Sequence, residues 1–511
     1  HYTVTMNQIQ DGLSQSEYQL NYIHVVSTGC TDPIAENYDP SAEFNDGSCM
    51  YIYGCLDPSA ANYNDSATMD SENCFYMPYV EFEVPGIYFN AYFGSDVDLE
   101  GDLAVVGAYN DSTGGMMSTG AAYIFKRDSG GVWDLVTKLT AFDSGFMDYY
   151  GFSVDISGDR VAIGSYQDDN ERGINVGAVY VYREDDSGVW SLEEKIVPFD
   201  GELSDNFGYS VKLKGNHLAS TSRKDDIDGN SNQGSVYFYQ YSDMNGWEMI
   251  QYVTPVDGDG GDSFGHDMDI NDQFFLVSSP LADTDGQVNT GKVYLYENDG
   301  STPWVPIVTI LPIDVLPQDQ FGASVSISDN YMVMGSPNDD NNDLQNSGSV
   351  YIYRNLNDTW IFDDFLTDEN GDINENFGKN LAIGGDYISI HGGNKIILYH
   401  RESNGLWQKT SGFESPVVGP MIINENRIIT GNMTSNSARI YLLDEWDDWL
   451  TTAVPGDLNN DTLINVLDVV MMVAYIMGNI ELSGNQLISA ELSGDGIIDV
   501  LDIVILVELI L

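Results

Sequence analysis

The chain contains 511 residues, of which 42% are hydrophobic, so it is long enough for several domains with cores of their own. It carries 80 acidic and only 19 basic residues, a net charge of −61. Nucleic acids and anionic membranes bind clustered lysine and arginine, so this balance argues against both partners. The acidity suits either a surface that stays soluble at high salt or the binding of divalent cations, and the two interpretations are compatible.

Residues 1–28 form the first predicted domain, in which HYTVTM alternates like a β-strand without an evident partner. We expect this strand to lie at an edge or to pair with another molecule. No secretion signal begins at His1, and no apolar run reaches the ~18 residues that a membrane-spanning helix needs, so no membrane insertion is expected. We expect a mature secreted form, because the cysteines that follow indicate an oxidising compartment.

Residues 29–76 contain the four cysteines in two copies of one pattern, GCTDPIAENYDPSAEFNDGSC and GCLDPSAANYNDSATMDSENC. The repeat favours one disulfide in each copy, Cys30–Cys49 and Cys55–Cys74, since each unit should close on itself. Zinc is the alternative, but the short ligand spacing of zinc sites is absent. The copies resemble small cysteine-rich repeats of secreted bacterial proteins, which implies a spacer or a calcium-stiffened module. Their aspartates are either cation ligands or turn formers.

A Phe-Gly or Tyr-Gly pair recurs at one fixed interval along the middle of the chain, beginning at Phe93, Tyr150, Phe207, Phe264 and Phe321, and one position early at Phe377. A weaker seventh copy follows, and one tryptophan per unit recurs through Trp446. Each unit contains four alternating segments, the fourth led by tryptophan, which predicts a four-stranded sheet. Seven such sheets arranged radially can bury one another's faces. The repeat therefore predicts a mainly β fold with a seven-bladed β-propeller over 77–453.

The Phe-Gly pairs and strands such as GAVYVY and GSVYIY resemble the FG-GAP family, the seven-bladed propellers that include the integrin α-subunit head. The resemblance implies a fold and says little about function. In integrin-type blades a calcium loop joins the first two strands, but here that connection is a tight turn. The family's calcium ligands therefore have no counterparts at that place.

Acidic residues lie instead in the loops after each second strand and before each Phe-Gly pair. Because strands alternate in direction, both kinds of loop should emerge at one densely negative rim. The acids are either calcium ligands or turn formers bonded to their own backbone. The candidate calcium ligands at the rim are Asp225, Asp228, Asp283, Asp285, Asp339 and Asp343.

Two segments of one pattern lie in the last predicted domain, 454–511. They read GDLNNDTLINVLD, beginning at Gly456, and AELSGDGIIDVLD, beginning at Ala490. Each fits a twelve-residue EF-hand-like loop that binds calcium through oxygen ligands. The first loop offers Asp457, Asn459, Asp461, the carbonyl of Leu463, Asn465 and Asp468. The second loop offers Glu491, Ser493, Asp495, the carbonyl of Ile497, Asp499 and Asp502.

Two such loops, each followed by an apolar helix, resemble dockerin, a small domain that folds with calcium and binds a cohesin module on another protein. The resemblance implies Ca²⁺ as the cofactor and a protein as the partner. Thr462 stands where glycine is usual, and Glu491 is a longer first ligand that weakens its site. Val466-Leu467 and Val500-Leu501 stand where cellulosomal dockerins often have Ser or Thr, which implies an apolar partner surface. The alternative is that these side chains pack internally or onto the propeller. The terminal DIVILVELIL is apolar nearly all round and should be buried.

The histidines share no metal-like spacing, no GxSxG motif is present, and no carboxylate pair stands out among so many acids. We therefore expect a non-catalytic, calcium-binding adhesion or structural protein that is extracellular and bacterial, from a saline environment. Its rim would contact proteins or glycans, and its tail would bind a cohesin-like module or another copy of the chain, giving filaments by head-to-tail contact. The alternative is a polysaccharide-binding or polysaccharide-degrading component attached through the dockerin.

Overall fold

The computed structural model divides into two units, residues 78–444 and a second unit formed by residues 1–77 and 445–511. The residues that the structure describes are 2–4, 25–35, 37–45, 48–51, 53–54, 68–70, 79–82, 84–112, 115–298, 304–313, 316–341, 344–357, 359–368, 371–393, 395–402, 405–414, 419–424, 427–433, 435–443, 466–476, 490, 498, 503–504 and 506–507.

Short strands make up the described part of residues 1–77. They are β1 (Tyr2–Val4), β2 (Val25–Gly29), β3 (Phe44–Asn45), β4 (Tyr53–Gly54) and β5 (Met69–Asp70). Strand β1 pairs antiparallel with β2, so the predicted N-terminal strand has a partner within its own chain. The β2–β3 and β4–β5 pairs form the same parallel ladder at equivalent positions of the two cysteine-rich copies.

The first cysteine-rich copy contains the predicted disulfide. Cys30 and Cys49 are bonded, with their Cα atoms 4.7 Å apart. Asp39 of this copy accepts hydrogen bonds from the backbone N–H and the hydroxyl of Ser41, as expected of a turn former. The predicted Cys55–Cys74 bridge lies outside the described residues.

Seven four-stranded antiparallel sheets form the unit of residues 78–444, which confirms the predicted mainly β, seven-bladed fold. Strand β6 (Tyr79–Phe82) comes first in the chain and belongs to the last blade. Blade 1 contains β7 (Val97–Glu100), β8 (Leu103–Ala108), β9 (Ala121–Arg127) and β10 (Trp133–Leu139). Blade 2 contains β11 (Ser153–Ser157), β12 (Arg160–Ser165), β13 (Ala178–Glu184) and β14 (Trp190–Ile196). Blade 3 contains β15 (Phe207–Lys214), β16 (His217–Ser222), β17 (Ser235–Ser242) and β18 (Gly246–Val253).

The remaining blades repeat this order of strands. Blade 4 contains β19 (Met268–Ile270), β20 (Phe274–Ser279), β21 (Lys292–Glu297) and β22 (Val305–Ile310). Blade 5 contains β23 (Val325–Ile327), β24 (Tyr331–Ser336), β25 (Ser349–Asn355) and β26 (Trp360–Leu366). Blade 6 contains β27 (Asn380–Gly384), β28 (Tyr387–Gly392), β29 (Lys395–Arg401) and β30 (Trp407–Glu414). Blade 7 contains β31 (Met421–Asn424), β32 (Arg427–Asn432), β33 (Ser437–Leu442) and β6.

Blade 7 is completed by the N-terminal strand of the propeller. Strand β33 pairs antiparallel with β6, which places Ala438 opposite Phe82 and Tyr441 opposite Tyr79. This differs from the sequence prediction, in which a strand led by Trp446 completes the seventh unit; Trp446 lies outside the described residues. Since β6 and β33 come from opposite ends of the unit, their pairing closes the ring of blades and leaves no strand edge between its first and last blades.

The Phe-Gly pairs anchor each blade against the one before it. Phe207, Phe264 and Phe321 are completely buried. The glycines that follow them have φ between +83° and +85°, a conformation that favours glycine. A Cβ atom on Gly151 would lie 2.1 Å from the carbonyl oxygen of Ala121 in the preceding blade. Glycine is thus required here by both its conformation and the close approach of two blades.

The core consists of apolar layers between neighbouring blades. One layer joins Ile124 of blade 1 to Ile156 and Trp190 of blade 2, and the next joins Val181 of blade 2 to Trp247 of blade 3. Each tryptophan therefore fills the space between two blades, as the radial arrangement predicts. At ~25 cal/mol per Å² of buried apolar surface, these layers dominate the stability of the ring.

Carboxylates on the innermost strands also link neighbouring blades. Asp98 of blade 1 accepts a hydrogen bond from the backbone N–H of Ile156 in blade 2 at 2.8 Å. Asp155 of blade 2 accepts in turn from Leu213 of blade 3 at 2.6 Å. Other acceptor–donor pairs of this kind are Asp96–Val154, Asp267–Val325 and Asp269–Ile327. The first strands have no strand partner on their channel side, and these side chains satisfy part of their exposed backbone.

Candidate functional site

One face of the propeller collects the acidic loops. Ser204 N donates to Ile174 O at 3.1 Å, and Gln318 N donates to Val288 O at 2.9 Å, so each loop after a second strand lies beside the loop that enters the next blade. We call this surface the rim face. Its loops are 109–120, 140–152, 166–177, 197–206, 223–234, 254–266, 280–291, 311–324, 337–348 and 367–379.

Two of the predicted rim calcium ligands are buried and bonded to hydroxyl groups. Asp225 and Asp339 occupy equivalent positions in blades 3 and 5. The hydroxyl donors are Ser235, Tyr237 and Tyr252 for Asp225, and Ser349 and Tyr351 for Asp339. Burial raises the pKa of Asp225 above its ordinary value, and the hydrogen bonds partly oppose that rise.

The other predicted rim ligands lie in exposed turns. Asp228 and Asp285 have φ near +50°, and Asp283 accepts a hydrogen bond from the backbone N–H of Asn289 at 2.9 Å. Asp343 lies outside the described residues. Within the described part of the chain, no three acidic, histidine or cysteine side chains are grouped closely enough to hold a metal ion. Calcium at the rim therefore remains a prediction.

Lysine ammonium groups neutralise equivalent carboxylates in other blades. In blade 2, Lys195 Nζ lies 2.8 Å from Asp143 Oδ2 and 2.9 Å from Asp168 Oδ1. Lys138 contacts Asp111 at 2.7 Å at the same position of blade 1. These lysines are not among the site residues predicted from the sequence, although Lys138 and Lys195 are separated by the same interval as the Phe-Gly pairs.

Blade 3 has a hydroxyl where blades 1 and 2 have an ammonium. Tyr252 stands at the position of Lys195, and its hydroxyl lies 3.1 Å from Asp225 Oδ2. Asp200 accepts a hydrogen bond from Tyr237 at 2.9 Å in the same cluster. Two carboxylates thus approach one tyrosine hydroxyl and have neutral donors there, an arrangement that a cation would stabilise.

A second row of buried carboxylates lies in the loops that enter the blades. Asp148 accepts a hydrogen bond from the backbone N–H of Gly145, and Asp205 accepts one from Glu202 at 2.6 Å. Burial raises the pKa of Asp148 and of Asp205 to about 6. These side chains hold the loops through backbone hydrogen bonds, and their burial disfavours the charged form.

The central channel is lined by one residue from the first strand of each blade. Charged side chains occupy this ring in blades 1 to 4, namely Asp98, Asp155, Lys212 and Asp269, and Ser326, Ala382 and Ile422 continue it in blades 5 to 7. The cavity at this level has a volume of about 410 Å³. The channel is therefore polar along one side and largely apolar along the other.

Lys212 is the one cation in that ring. Its Nζ lies 3.3 Å from Asp155 Oδ1 and 3.9 Å from Asp269 Oδ1. Burial raises the pKa of Asp96 to about 7 and that of Asp267 to about 6, while hydrogen bonds from the next blade and the charge of Lys212 oppose the rise. The channel thus holds more carboxylate than its lysine can neutralise.

Aromatic side chains cluster where the rim face meets the channel. The ring of Phe152 lies 4.4 Å from that of Tyr166 and 5.0 Å from that of Tyr209, measured between centroids. Tyr109 adjoins Phe152, and the Arg223 guanidinium lies 3.9 Å from the Tyr209 ring centre. These rings are half-buried and form a continuous aromatic surface across blades 1 to 3.

The described histidines do not assemble a catalytic group. His217 lies in blade 3, His266 in blade 4, and His391 and His400 in blade 6. Burial lowers the pKa of His266 to about 4, so this imidazole is neutral at physiological pH. The described histidines therefore supply no evident acid–base centre.

The C-terminal region contains helix α1 (Val466–Ile476), which begins at the last positions of the first predicted calcium loop. Met472, Ala490, Ile498 and Leu506 are buried together, so helix α1 and the second repeat share one apolar core. Val470 and Val504 occupy equivalent positions of the two repeats, and both are exposed. Asp468 lies in α1, and the other predicted ligands of both loops lie outside the described residues. No described helix has the length and apolar character that crossing a bilayer requires.

Comparison with protein families identifies both modules. The FG-GAP repeat matches residues 89–125, 133–182, 190–239, 247–296 and 304–353, and the dockerin type I domain matches residues 455–511. The chain is therefore a seven-bladed β-propeller built from FG-GAP repeats that carries a dockerin type I domain. Dockerin domains bind calcium and attach to cohesin modules on other proteins, and both modules are typical of extracellular proteins that assemble through protein–protein contacts.

Other similarities are distant. The periplasmic gluconolactonase PpgL of Pseudomonas aeruginosa shares 13% identity and a TM-score of 0.42, over 63% of this chain and 85% of that one. The computationally designed Ika8 protein shares 12% identity and a TM-score of 0.38, over 70% and 98%. The chloroplastic ribulose bisphosphate carboxylase/oxygenase activase of Oryza sativa subsp. japonica is 57% identical over 28 residues, 6% of each chain.

Proposed function

We propose that this chain is a secreted, non-catalytic connector protein. Its dockerin domain binds a protein partner when calcium fills the loops at 457–468 and 491–502, and its propeller presents the rim face to further partners. The dockerin match over residues 455–511 is the observation that carries the proposal. The shared apolar core of Met472, Ala490, Ile498 and Leu506 supports it, since the two halves must pack together to form one binding domain.

The partner surface of the dockerin domain is apolar in this proposal. Val470 and Val504 expose similar side chains at equivalent positions of the two halves. A hydrophobic contact of this kind suits a cohesin-like module whose binding surface is itself apolar. The net charge of −61 suits a bacterial protein in a saline environment, because salt screens the repulsion between its carboxylates.

Capture of partners by the immobilised full chain tests the proposal. A cohesin-like protein should be retained with calcium and released by EGTA. Asp468→Ala and Asp502→Ala together should abolish retention, since each removes the last ligand of one loop. Asp185→Ala is the matched control, because Asp185 lies in an exposed turn of blade 2. Retention that is insensitive to both EGTA and the loop variants would contradict the proposal.

Calcium at the rim is a finer proposal for blade 3. Asp200 and Asp225 lie close together there without the lysine that blades 1 and 2 provide. Of the other predicted ligands, Asp228 and Asp285 lie in turns at positive φ, Asp283 accepts a backbone hydrogen bond, and Asp339 is bonded to hydroxyl groups. Asp468→Ala with Asp502→Ala removes the last calcium ligand of each dockerin loop. Calcium titration of that variant, with and without Asp225→Asn, tests the blade 3 site. A binding event that is lost with Asp225→Asn would reveal calcium there.

Assembly into filaments is a further proposal for the same domain. Strand β1 pairs with β2, so one hydrogen-bonding edge of the strand that was predicted to be free is already occupied. The exposed valines of the dockerin domain remain as an apolar contact for another copy. Electron microscopy with calcium and with EGTA tests this form of adhesion, and compact monomers under both conditions would exclude it.

Polysaccharide binding is the second candidate, and the aromatic surface around Phe152, Tyr166 and Tyr209 favours it. Partly exposed rings at the mouth of a cavity are suited to the apolar faces of sugars. Co-sedimentation with insoluble polysaccharides should then depend on Tyr166 and Tyr209. Release of sugar ends by the purified chain would instead indicate a degrading enzyme.

A further inference from the structure

Exposed apolar side chains recur on the rim face with the period of the blades. Phe142, Phe199, Val256 and Ile313 are each separated by one blade interval and are 53–102% exposed. The phenylalanines of the Phe-Gly pairs have the same period and are completely buried. Burial of a phenylalanine stabilises a fold by roughly 1.5–3 kcal/mol, so folding alone gives no reason to keep large apolar residues in solvent. Their recurrence at one position of successive blades makes this face a candidate interaction surface.

A second apolar position lies at the junctions between blades. Ile174 and Leu203 are both exposed, and the hydrogen bond from Ser204 N to Ile174 O holds their loops together. Met117 and Phe146 are exposed in the same arrangement at the preceding junction, where Met147 N donates to Met117 O. The rim face therefore carries paired apolar side chains between blades in addition to the single ones.

The exposed rings rest on a rigid base. Phe142 packs edge to face on Tyr180, with ring centres 6.3 Å apart, and Phe199 packs on Tyr237 at the same distance. The Tyr180 hydroxyl is held by Asp168 at 2.7 Å. These phenylalanines are thus presented by an ordered layer beneath them, so binding at this surface would cost little conformational entropy.

Fixed carboxylates stand between the apolar side chains. Asp169, Asp226, Asp283 and Asp340 are exposed, and each accepts a backbone hydrogen bond from the residue six positions later at 2.7–2.9 Å. Lysine and arginine are scarce on this face: Arg172, Arg223 and Lys224 are the basic residues of the rim loops between 109 and 348. The rim face is therefore apolar and negatively charged, with both features repeated from blade to blade.

We propose that the rim face binds a basic protein surface that carries apolar side chains of its own. Its lysines and arginines pair with the ring of aspartates, and its apolar residues pack on Phe142, Phe199 and their counterparts. The inference rests on the proposed function of the rim as a contact surface and names the chemistry of its partner. A second copy of this face would bring like charges together, and a neutral glycan would leave the aspartates unpaired.

The binding of designed peptides to the full, calcium-loaded chain tests this chemistry. The probe is an amphipathic lysine–leucine peptide, measured by fluorescence anisotropy over a series of salt concentrations. Comparison peptides are an oligolysine of equal charge and a glutamate–leucine peptide of equal length. The lysine–leucine peptide should bind about tenfold more tightly than oligolysine, which corresponds to about 1.4 kcal/mol. Its affinity should fall with salt, and the acidic peptide should not bind.

Variants locate the binding surface. Phe142→Ser with Phe199→Ser should reduce the affinity about tenfold, and Asp169→Asn with Asp226→Asn should reduce both the affinity and its dependence on salt. Val189→Ser with Val132→Ser is the matched control. These valines are also exposed and one blade interval apart, but they lie in turns on the opposite face, so binding should not change. Unfolding curves of each variant confirm that the blades remain intact.

Two results would overturn the proposal. The first is that oligolysine binds as tightly as the amphipathic peptide and that the Phe142→Ser with Phe199→Ser variant binds normally. The peptides would then bind through charge alone, and the apolar side chains of the rim would contribute nothing. If a neutral oligosaccharide or a second copy of the chain binds and is lost in that variant, the rim is a contact surface for another class of partner. The connector function would stand in that second case, and it would fail separately if calcium and the dockerin loops had no effect on partner capture.

Discussion

Replacement of Lys212 by methionine probes the electrostatic balance of the central channel. Methionine keeps an unbranched apolar side chain of similar length, so the change removes the charge without a large cavity. Lys212 is 16% exposed and faces Asp155 and Asp269 at 3.3 and 3.9 Å. Each attraction amounts to about 4–5 kcal/mol at an effective dielectric constant of about 20.

The loss of unfolding free energy should be smaller than the sum of those attractions. Removing one partner of a buried ion pair typically costs about 3–5 kcal/mol of unfolding free energy, because the remaining carboxylates stay buried without their cation. The cost is below the summed attractions because the folded protein no longer has to desolvate the lysine. We expect a loss of this size at about pH 7.5. The loss should shrink toward pH 5, because burial already raises the pKa of Asp155 and Asp98, and protonated carboxyl groups no longer need a cation.

Urea unfolding monitored by tryptophan fluorescence measures this loss, since Trp190, Trp247 and Trp304 are buried between blades. Lys126→Met is the control. Lys126 is 48% exposed and pairs with Glu184 at 3.0 Å, so its replacement should cost at most about 1 kcal/mol. Equal losses for the two variants at about pH 7.5, or a loss for Lys212→Met that does not shrink at lower pH, would refute the electrostatic account of the channel.

Three further predictions concern the fold. The unfolding free energy of the wild-type propeller should fall as pH rises from about 4 to about 7. Burial raises the pKa of carboxyl groups such as Asp96 to about 7, so the folded state keeps protons that the unfolded chain releases near 3.8. Urea titrations that show a rise across this pH range would be inconsistent with this prediction. Gly151→Ala should cost at least about 2 kcal/mol of unfolding free energy, because the new Cβ meets the preceding blade. Gly158→Ala should cost about 1 kcal/mol, because Gly158 is also at positive φ but has open space around it. Equal costs in urea unfolding would argue against a close contact between blades. Cys30→Ser should destabilise the first cysteine-rich copy by about 3 kcal/mol. The N-terminal segment should then be proteolysed faster, while the unfolding of the blades stays unchanged. An unchanged rate of proteolysis would indicate that the disulfide does not stabilise this copy.

The periodic features of the fold could be predicted from the sequence because each recurs from blade to blade. The Phe-Gly pairs, the alternating strands and the recurrent tryptophans share one interval, and together they define seven sheets and the layers between them. The two calcium-loop patterns likewise predict the dockerin domain, which the family comparison confirms.

Features found in one blade alone could not be predicted in this way. Strand β6 completes blade 7, yet it precedes the first Phe-Gly pair and contains no tryptophan, so it lacks the periodic signal. Lys212 stands at a position where the two preceding blades have aspartate, and its role emerges only when the first strands meet around the channel. The positions of the rim acids in loops predict either calcium ligands or turn formers, whereas the hydroxyl and lysine partners of Asp225 and Asp168 come from later strands of the same blades.

Hydrogen–deuterium exchange of the full chain, with calcium and after EGTA, tests the connector function most directly. A calcium-set binding domain predicts strong protection of residues 466–476 with calcium, loss of that protection with EGTA, and little change in the strands of the blades. Protection of this helix that is the same with and without calcium would contradict the account.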